Sequence, residues 1–122
     1  VPTVDQVVAI MTELTDPERL AMSKTDIVTP GFSPEEAGTI DDHLNRSRNH
    51  PVMSFIVTDI QPAPNNSAGA TVATVGNDVR RNTHGRSIVL VAQVGHWMIT
   101  HDSAMTELDV LWRAADRFQG WG

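Results

Sequence analysis

The chain contains no cysteine. This absence excludes disulfide bonds, thiolate zinc sites, iron–sulfur clusters and cysteine nucleophiles. It leaves the compartment open, because a cysteine-free protein is compatible with either redox environment. Long apolar runs are missing as well, and the longest, IVLVA at 88–92, is far too short to cross a bilayer. We therefore expect no membrane span.

Positive charge is also scarce. The nine basic residues are scattered along the chain, and the net charge is −6. A duplex-binding protein of this size would carry a dense positive face, so we expect no nucleic-acid partner. What the chain does contain, 40% apolar and 20% charged residues over 122 positions, is typical of one globular domain spanning 1–122.

The first part of the chain carries two helix signatures. Thr3 and Gln6 have the spacing of a reciprocal capping box, and apolar residues follow at helical intervals. Ser33 and Pro34 supply an N-cap and a proline at the first helical position of a second helix. Between them, Ile27 and Val28 could form a short strand or simply fill the core.

After position 51 the apolar period changes from helical to alternating. Four strands are predicted, over 52–60, 70–75, 86–94 and 97–101. A final helix follows, capped by Asp102 or Ser103 and ended by Gly120. Consecutive strands with short connections favour a meander. We therefore predict an α+β fold, a four-stranded antiparallel meander sheet packed with three helices.

The stretch QVGHWMITHDSAM, at 93–105, holds the first candidate site. His96 and His101 both fall within the predicted fourth strand and its turn. An offset of five places them on opposite faces, about 17 Å apart, so they cannot share one metal ion. The Asp102 carboxylate could orient His101 as a catalytic dyad. Asp before a helix is, however, a preferred cap, and this interpretation is favoured.

The other histidines do not add a metal site. They are His43, beside Asp42 in the second helix, and His50 and His84 in connections. Neighbouring residues in a helix point apart, and no HxH or HxxxH spacing occurs. We predict neither a metal nor another cofactor. No P-loop, dinucleotide fingerprint or nucleophile elbow is present, so no catalytic residue is assigned.

Asp59 is the most interesting acid. Strand alternation places it on the face of Phe55 and Val57, where a buried carboxyl would act as a general base with a raised pKa. The favoured alternative is that it lies near the strand end and binds a loop amide or an arginine.

An apolar pocket between helices and sheet is the remaining chance of small-molecule chemistry. Its candidate lining residues are Met11, Met53, Trp97, Met98 and Met105, although methionine and tryptophan at these spacings are more often ordinary core. The ligand-binding candidates are therefore Asp59, Trp97, Met98 and His101.

Two longer motifs make the sequence resemble the low-molecular-weight secreted antigen family of mycobacteria and related actinobacteria. The first is Pro-x-x-Ser-Phe-x-Val-Thr-x-Ile-Gln-Pro, carried by Pro51, Ser54, Phe55, Val57, Thr58, Ile60, Gln61 and Pro62. The second is the family's Gly-x-x-Trp-Met-type strand that leads into Ser-Ala-Met-x-x-Leu; here a single residue, His96, separates Gly95 from Trp97. It is carried by Gly95, Trp97, Met98, Ser103, Ala104, Met105 and Leu108. The similarity spans nearly the whole chain.

The resemblance implies a secreted or envelope protein without established enzymatic activity, exported by a signal peptide that is then removed. It also implies a cystatin-like or nuclear-transport-factor-2-like cone. We expect a non-enzymatic binding module whose partner is an unknown protein or a small apolar ligand. One alternative is a small-molecule enzyme or carrier that uses the cone, with Asp59 and His101 as acid–base candidates. Another is a protein–protein module that forms a homodimer through the open sheet face, with Trp97, Trp112 and Trp121 as anchor candidates, although Trp112 fits the core better.

Overall fold

The structure is a computed structural model that describes residues 1–49, 52–76 and 82–119, with side chains as far as position 113 except at position 53. Its elements, in chain order, are α1 (Val4–Leu14), the 3-10 helix η1 (Ala21–Asp26), β1 (Val28–Thr29), α2 (Pro34–Arg46), β2 (Val52–Ala63), β3 (Ser67–Gly76), β4 (Thr83–Gln93), β5 (His96–Thr100) and α3 (His101–Gln119). The α+β class is confirmed.

Both N-terminal helices begin at the predicted caps. The Gln6 backbone N–H donates to the Thr3 hydroxyl at 3.1 Å, and the Thr3 N–H donates back to Gln6 Oε1 at 2.8 Å. Ser33 and Glu36 make the same reciprocal pair at 3.2 and 2.8 Å. Each box gives partners to backbone donors that the first helical turn leaves unpaired, which is why the helices begin there.

The sheet has one more strand than the meander predicted from the sequence. In the described part of the chain the order is β1-β5-β4-β3-β2, with β2 to β5 antiparallel as predicted. The prediction of four antiparallel strands is wrong because Val28 and Thr29 add a fifth, parallel to β5, with Val28 opposite Ile99.

Strand ends differ from the predicted ones because of local backbone geometry. The β4–β5 turn is formed by Val94 and Gly95, with φ angles of 51° and 82°. Two consecutive positive φ values match the twist of a two-residue hairpin. β2 continues to Ala63 past Pro62, which an edge strand tolerates because the missing N–H would face solvent.

All three α-helices bury their apolar faces on one side of the sheet. Their core residues are Val7, Ile10, Met11, Leu14, Ala37, Ile40, Leu44, Ala104 and Leu108. The sheet contributes Val57, Ala70, Val72, Ile88, Leu90 and Ile99 to the same cluster. The predicted two-layer arrangement is thus present, and it leaves the sheet with one face toward the helices and one face away from them.

The start of α3 corrects the predicted cap. The Ser103 N–H donates to the Thr100 hydroxyl at 3.3 Å, so Thr100 is the capping residue rather than Asp102 or Ser103. The Ser103 hydroxyl instead accepts the Val89 N–H of β4 at 2.9 Å, and His101 is the first residue of the helix. No helix in the described residues is both long enough and apolar enough to span a membrane.

Candidate functional site

The sheet face that points away from the helices is called the outer face here. It is built from alternate residues of the edge strand β2 and the two central strands β3 and β4, because side chains alternate between the faces of a sheet. The residues that define it are Ser54, Ile56 and Thr58 of β2, Gly69, Thr71 and Ala73 of β3, and Ser87, Val89 and Val91 of β4. Ile56 is 52% exposed and Val89 is 46% exposed, so these two apolar side chains of the face reach solvent.

The outer face is uncharged. The strands β2 to β5 contain only two residues with a full charge, Asp59 and Arg86, whereas 20% of the whole chain is charged. Arg86 turns to the helix side, in step with the buried Ile88 and Leu90. The face therefore presents only hydroxyls, small side chains and β-branched hydrocarbons to solvent.

Asp59 does not lie on the core face, so the predicted alternation is wrong at this residue. Its φ of 53° and the register shift between Thr58 and Gln61 place it in a β-bulge, where it is exposed. A bulge adds one residue to the strand, which turns the following side chains to the opposite face. Ile60 consequently packs against the core.

His101 joins the first turns of two helices. Its Nε2–H donates to the carboxylate of Glu36 on α2, at 3.0 Å from each oxygen. The hydrogen bond to Glu36 raises the pKa of His101, against the lowering effect of burial. The Ser33 N–H, and after it His101, lower the pKa of Glu36. Asp102 is a weaker partner, with its Oδ1 3.5 Å from His101 Nδ1.

The two histidines of the first candidate site do not come together. His96 directs Nε2 at the carbonyl oxygen of Asp26, 2.8 Å away, whereas His101 binds Glu36. Both predicted placements are wrong, because His96 lies in β5 rather than in the turn before it, and His101 begins α3 rather than ending the strand. Among the residues that the structure describes, no three His, Asp or Glu side chains are grouped to hold a metal ion. Asp59, on the edge strand β2, is separated from β5 and His101 by two strands.

A buried ion pair that the sequence did not predict links the sheet to α3. Arg86 of β4 donates from Nε and Nη2 to the two carboxylate oxygens of Glu107, each at 2.8 Å. The Glu107 side chain is 1% exposed and that of Arg86 is 17% exposed. Arg86 also donates to the hydroxyls of Thr74 and Thr83. Twenty-one residues separate the pair, so no local pattern signals it.

Lys24 is the second buried charge, with only 1% of its surface exposed. Its ammonium donates to the carbonyl oxygens of Leu14, at 2.8 Å, and Asp16, at 3.1 Å. It thus provides partners for the free carbonyls at the end of α1, which carry the negative end of the helix dipole. Burial lowers the pKa of Lys24 to about 8.

The apolar candidates mostly belong to the core. Met11 is fully buried, and Trp97 and Met105 are partly buried and pack against the core cluster. Met98 is 5% exposed and, between Trp97 and Ile99, points to the opposite side of β5. Trp112 packs against the core and stacks on His43 with ring centroids 4.2 Å apart, so it is not an exposed anchor.

The remaining predicted residues lie on the surface or outside the described part of the chain. His84 is exposed on β4. His50, Trp121 and the side chain of Met53 lie outside the described residues. The apolar cone pocket stays a prediction.

A family model described as the C-terminal domain of the low molecular weight antigen MTB12 matches residues 1–113 of this chain. The chain belongs to this family. Low molecular weight antigen MTB12 of Mycobacterium tuberculosis is 35% identical over 107 residues, and that of Mycobacterium bovis is 34% identical. Each of these matches covers 86% of this chain and 62% of the relative. An MTB12 homolog of Mycobacterium leprae is 27% identical over 115 residues, 93% of this chain and 68% of that protein.

This chain thus spans about six tenths of the length of the first two MTB12 relatives. The structure locates the residues of the two motifs that resemble the family. Phe55 and Val57 pack in the core, whereas Ser54 and Thr58 lie on the outer face. In the second motif, the Ser103 hydroxyl ties α3 to β4. The residues of the two motifs therefore build the core and the contact between α3 and β4, and they form part of the outer face.

Proposed function

We propose that this chain is an exported, non-enzymatic binding module that acts in the cell envelope or medium through its outer face. The observation that carries the proposal is the absence of charge from this face. A monomer keeps its exposed sheet surface soluble with charged side chains, and exposed apolar patches without them mark interaction sites. Ile56 and Val89, both about half exposed, form the apolar part of this patch.

Export is supported by the names of the relatives. Three mycobacterial proteins that match over most of this chain are each named as a low molecular weight antigen or its homolog. The name antigen fits a protein that leaves the cell.

The non-enzymatic part is supported by the engagement of the polar side chains inside the fold. His101 is bound to Glu36, Glu107 to Arg86, and Lys24 to two backbone carbonyls. General acid–base catalysis needs a group within reach of a substrate proton, and these groups are occupied by structural partners.

Site-specific photo-crosslinking in the producing cell tests the proposal. A photoreactive residue replaces Val89 in one strain and Val4, on α1, in a second strain as the control. The two valines are matched at 46% and 47% exposure. We expect the protein outside the cytoplasm, with adducts from position 89 and none from position 4. Retention in the cytoplasm would reject export, and equal labelling at both positions, or none, would reject the outer face as the binding surface.

A second candidate function is a carrier of a small apolar ligand. The Trp112 indole N–H is buried and has no acceptor among the described residues. A ligand carbonyl or carboxylate between helices and sheet would provide one. The cystatin-like or nuclear-transport-factor-2-like cone that the resemblance implies belongs to this candidate. A thermal-shift screen of apolar acids and amides tests it, and a ligand whose stabilisation survives Trp112→Phe would contradict the role of this N–H.

A further inference from the structure

We propose that the outer face binds a second copy of this chain, packed face to face about a two-fold axis. This inference rests on the proposed function, since it names the partner of the same surface. Three observations carry it: the charge distribution, the shape of the face, and the blunted edge of the sheet.

The charge distribution favours self-association through this face alone. Two copies, each with a net charge of −6, repel one another. Asp59 lies in the bulge of the edge strand β2, and other exposed acids lie away from the face, for example Glu18, Glu35, Asp42 and Asp102 in the helices and the connection after α1. A contact through the helical side would therefore bring carboxylates together. A contact between two outer faces places no like charges opposite each other, and salt screens the remaining repulsion beyond about 8–10 Å.

The side-chain sizes on the outer face favour packing against a second copy. The centre of β3 carries small side chains, Gly69, Thr71 and Ala73, and forms a trough. Ile56 of β2 and Val89 of β4 stand on either side of it. In a dimer related by a two-fold axis, the Val89 side chain of each copy would enter the trough of the other copy. Such an interface is isologous, because the same patch serves both subunits.

Gly85 extends this trough onto β4. A Cβ at this position would come within 2.9 Å of the Thr71 methyl carbon, so a larger residue would fill the space beside Thr71. The groove between β3 and β4 stays open at this level as a result.

The edge of the sheet is protected against pairing with another copy. β2 is the edge strand of the antiparallel part of the sheet, but it is interrupted by the Asp59 bulge and by Pro62, which has no N–H. Bulges, charges and prolines are the features that prevent edge-to-edge pairing. The outer face has none of these protections, so the expected dimer stacks its sheets rather than extending them.

The size of the face predicts a weak dimer. Three strands about 4.8 Å apart and about 30 Å long make a patch of roughly 430 Å² per copy. Standard stable interfaces bury about 800 Å² per partner, and smaller ones are transient. We therefore expect reversible association, in the micromolar range or weaker.

Sedimentation velocity of the purified full chain, from roughly 1 to 500 µM, tests the inference. The weight-average sedimentation coefficient should rise with concentration toward the value of a dimer. Val89→Lys should weaken association at least tenfold, because each dimer would bury two unpaired ammonium groups. Val4→Lys is the matched control, with the same change in net charge at 47% instead of 46% exposure. It should associate as the wild type does.

Melting curves check that each variant folds. If Val89→Lys fails to fold, Ile56→Lys, on the other side of the trough, replaces it. A wild type that stays monomeric throughout, or a dimer that all three lysine variants leave intact, overturns the inference. If the chain is monomeric and position 89 crosslinks to other proteins, the second copy is rejected as the partner and the proposed function stands. If crosslinks are absent as well, both fail.

Discussion

The Arg86–Glu107 pair makes a quantitative prediction about stability. The perturbations are Arg86→Met, Glu107→Leu and the double variant. Removing Arg86 leaves a carboxylate with 1% exposure facing the core without its bidentate partner. Breaking a buried pair on one side costs about 3–5 kcal/mol in the free energy of unfolding. Glu107→Leu should cost less, because Arg86 is 17% exposed and keeps the hydroxyls of Thr74 and Thr83 as acceptors.

The double variant should recover most of this loss. With both charges replaced by hydrocarbon of similar volume, the net change is expected to be about 1 kcal/mol or less. The residual cost comes from Thr74, which is 2% exposed and loses a hydrogen-bond donor. For 122 residues the entropy of unfolding is about 0.26 kcal/mol per kelvin. The Arg86→Met variant should then melt roughly 12–19 °C below the wild type, and the double variant within about 4 °C of it.

Thermal and urea unfolding followed by circular dichroism measure the four proteins of this double-mutant cycle. The expected coupling between the two positions is at least about 2 kcal/mol. Single variants that each cost under about 1 kcal/mol, or losses that simply add in the double variant, would refute the reasoning. Either result would mean that water, rather than the opposite charge, solvates Glu107.

Three further predictions concern the helix ends and pH. Lys24 has a folded-state pKa of about 8 against 10.5 in the unfolded chain, so unfolding takes up a proton between these values. Stability should rise with pH by up to about 3 kcal/mol over this window, and Lys24→Met should flatten the rise in urea titrations. The raised pKa of His101 has the opposite sign. Its stabilisation is complete below the unfolded value of 6.5 and is lost as pH rises through the folded pKa, so melting temperatures measured from pH 6 upward should fall less for His101→Gln than for the wild type. Ser33→Ala should cost about 1 kcal/mol at any of these pH values, and an unchanged melting temperature would contradict its role as a cap.

The elements that sequence predicts best are those with local signals. The capping box at Thr3 and the N-cap at Ser33 each lie within four residues of chain, so local sequence is enough to predict them. The four alternating strands and the final helix were likewise in the predicted order. The cap of α3 was missed because Thr100, Asp102 and Ser103 all suit that role, and only the pairing of Ser103 with Val89 decides among them.

The features that sequence misses depend on distant partners. Val28 and Thr29 are too short to show a period, and they form a strand only because β5 presents an edge. Asp59 was assigned to the wrong face because strict alternation does not include a bulge. The polar contacts Arg86–Glu107 and His101–Glu36 connect residues 21 and 65 positions apart, beyond the reach of any motif.

The parallel contact between Val28 and Ile99 also constrains how this protein can acquire its fold. The first fifty residues contain two helices and a strand whose docking surface is made by residues that come much later in the chain. During synthesis, the leading half remains without its layer of strands until position 99 has emerged. The domain can therefore complete its tertiary structure only after Ile99 has left the ribosome.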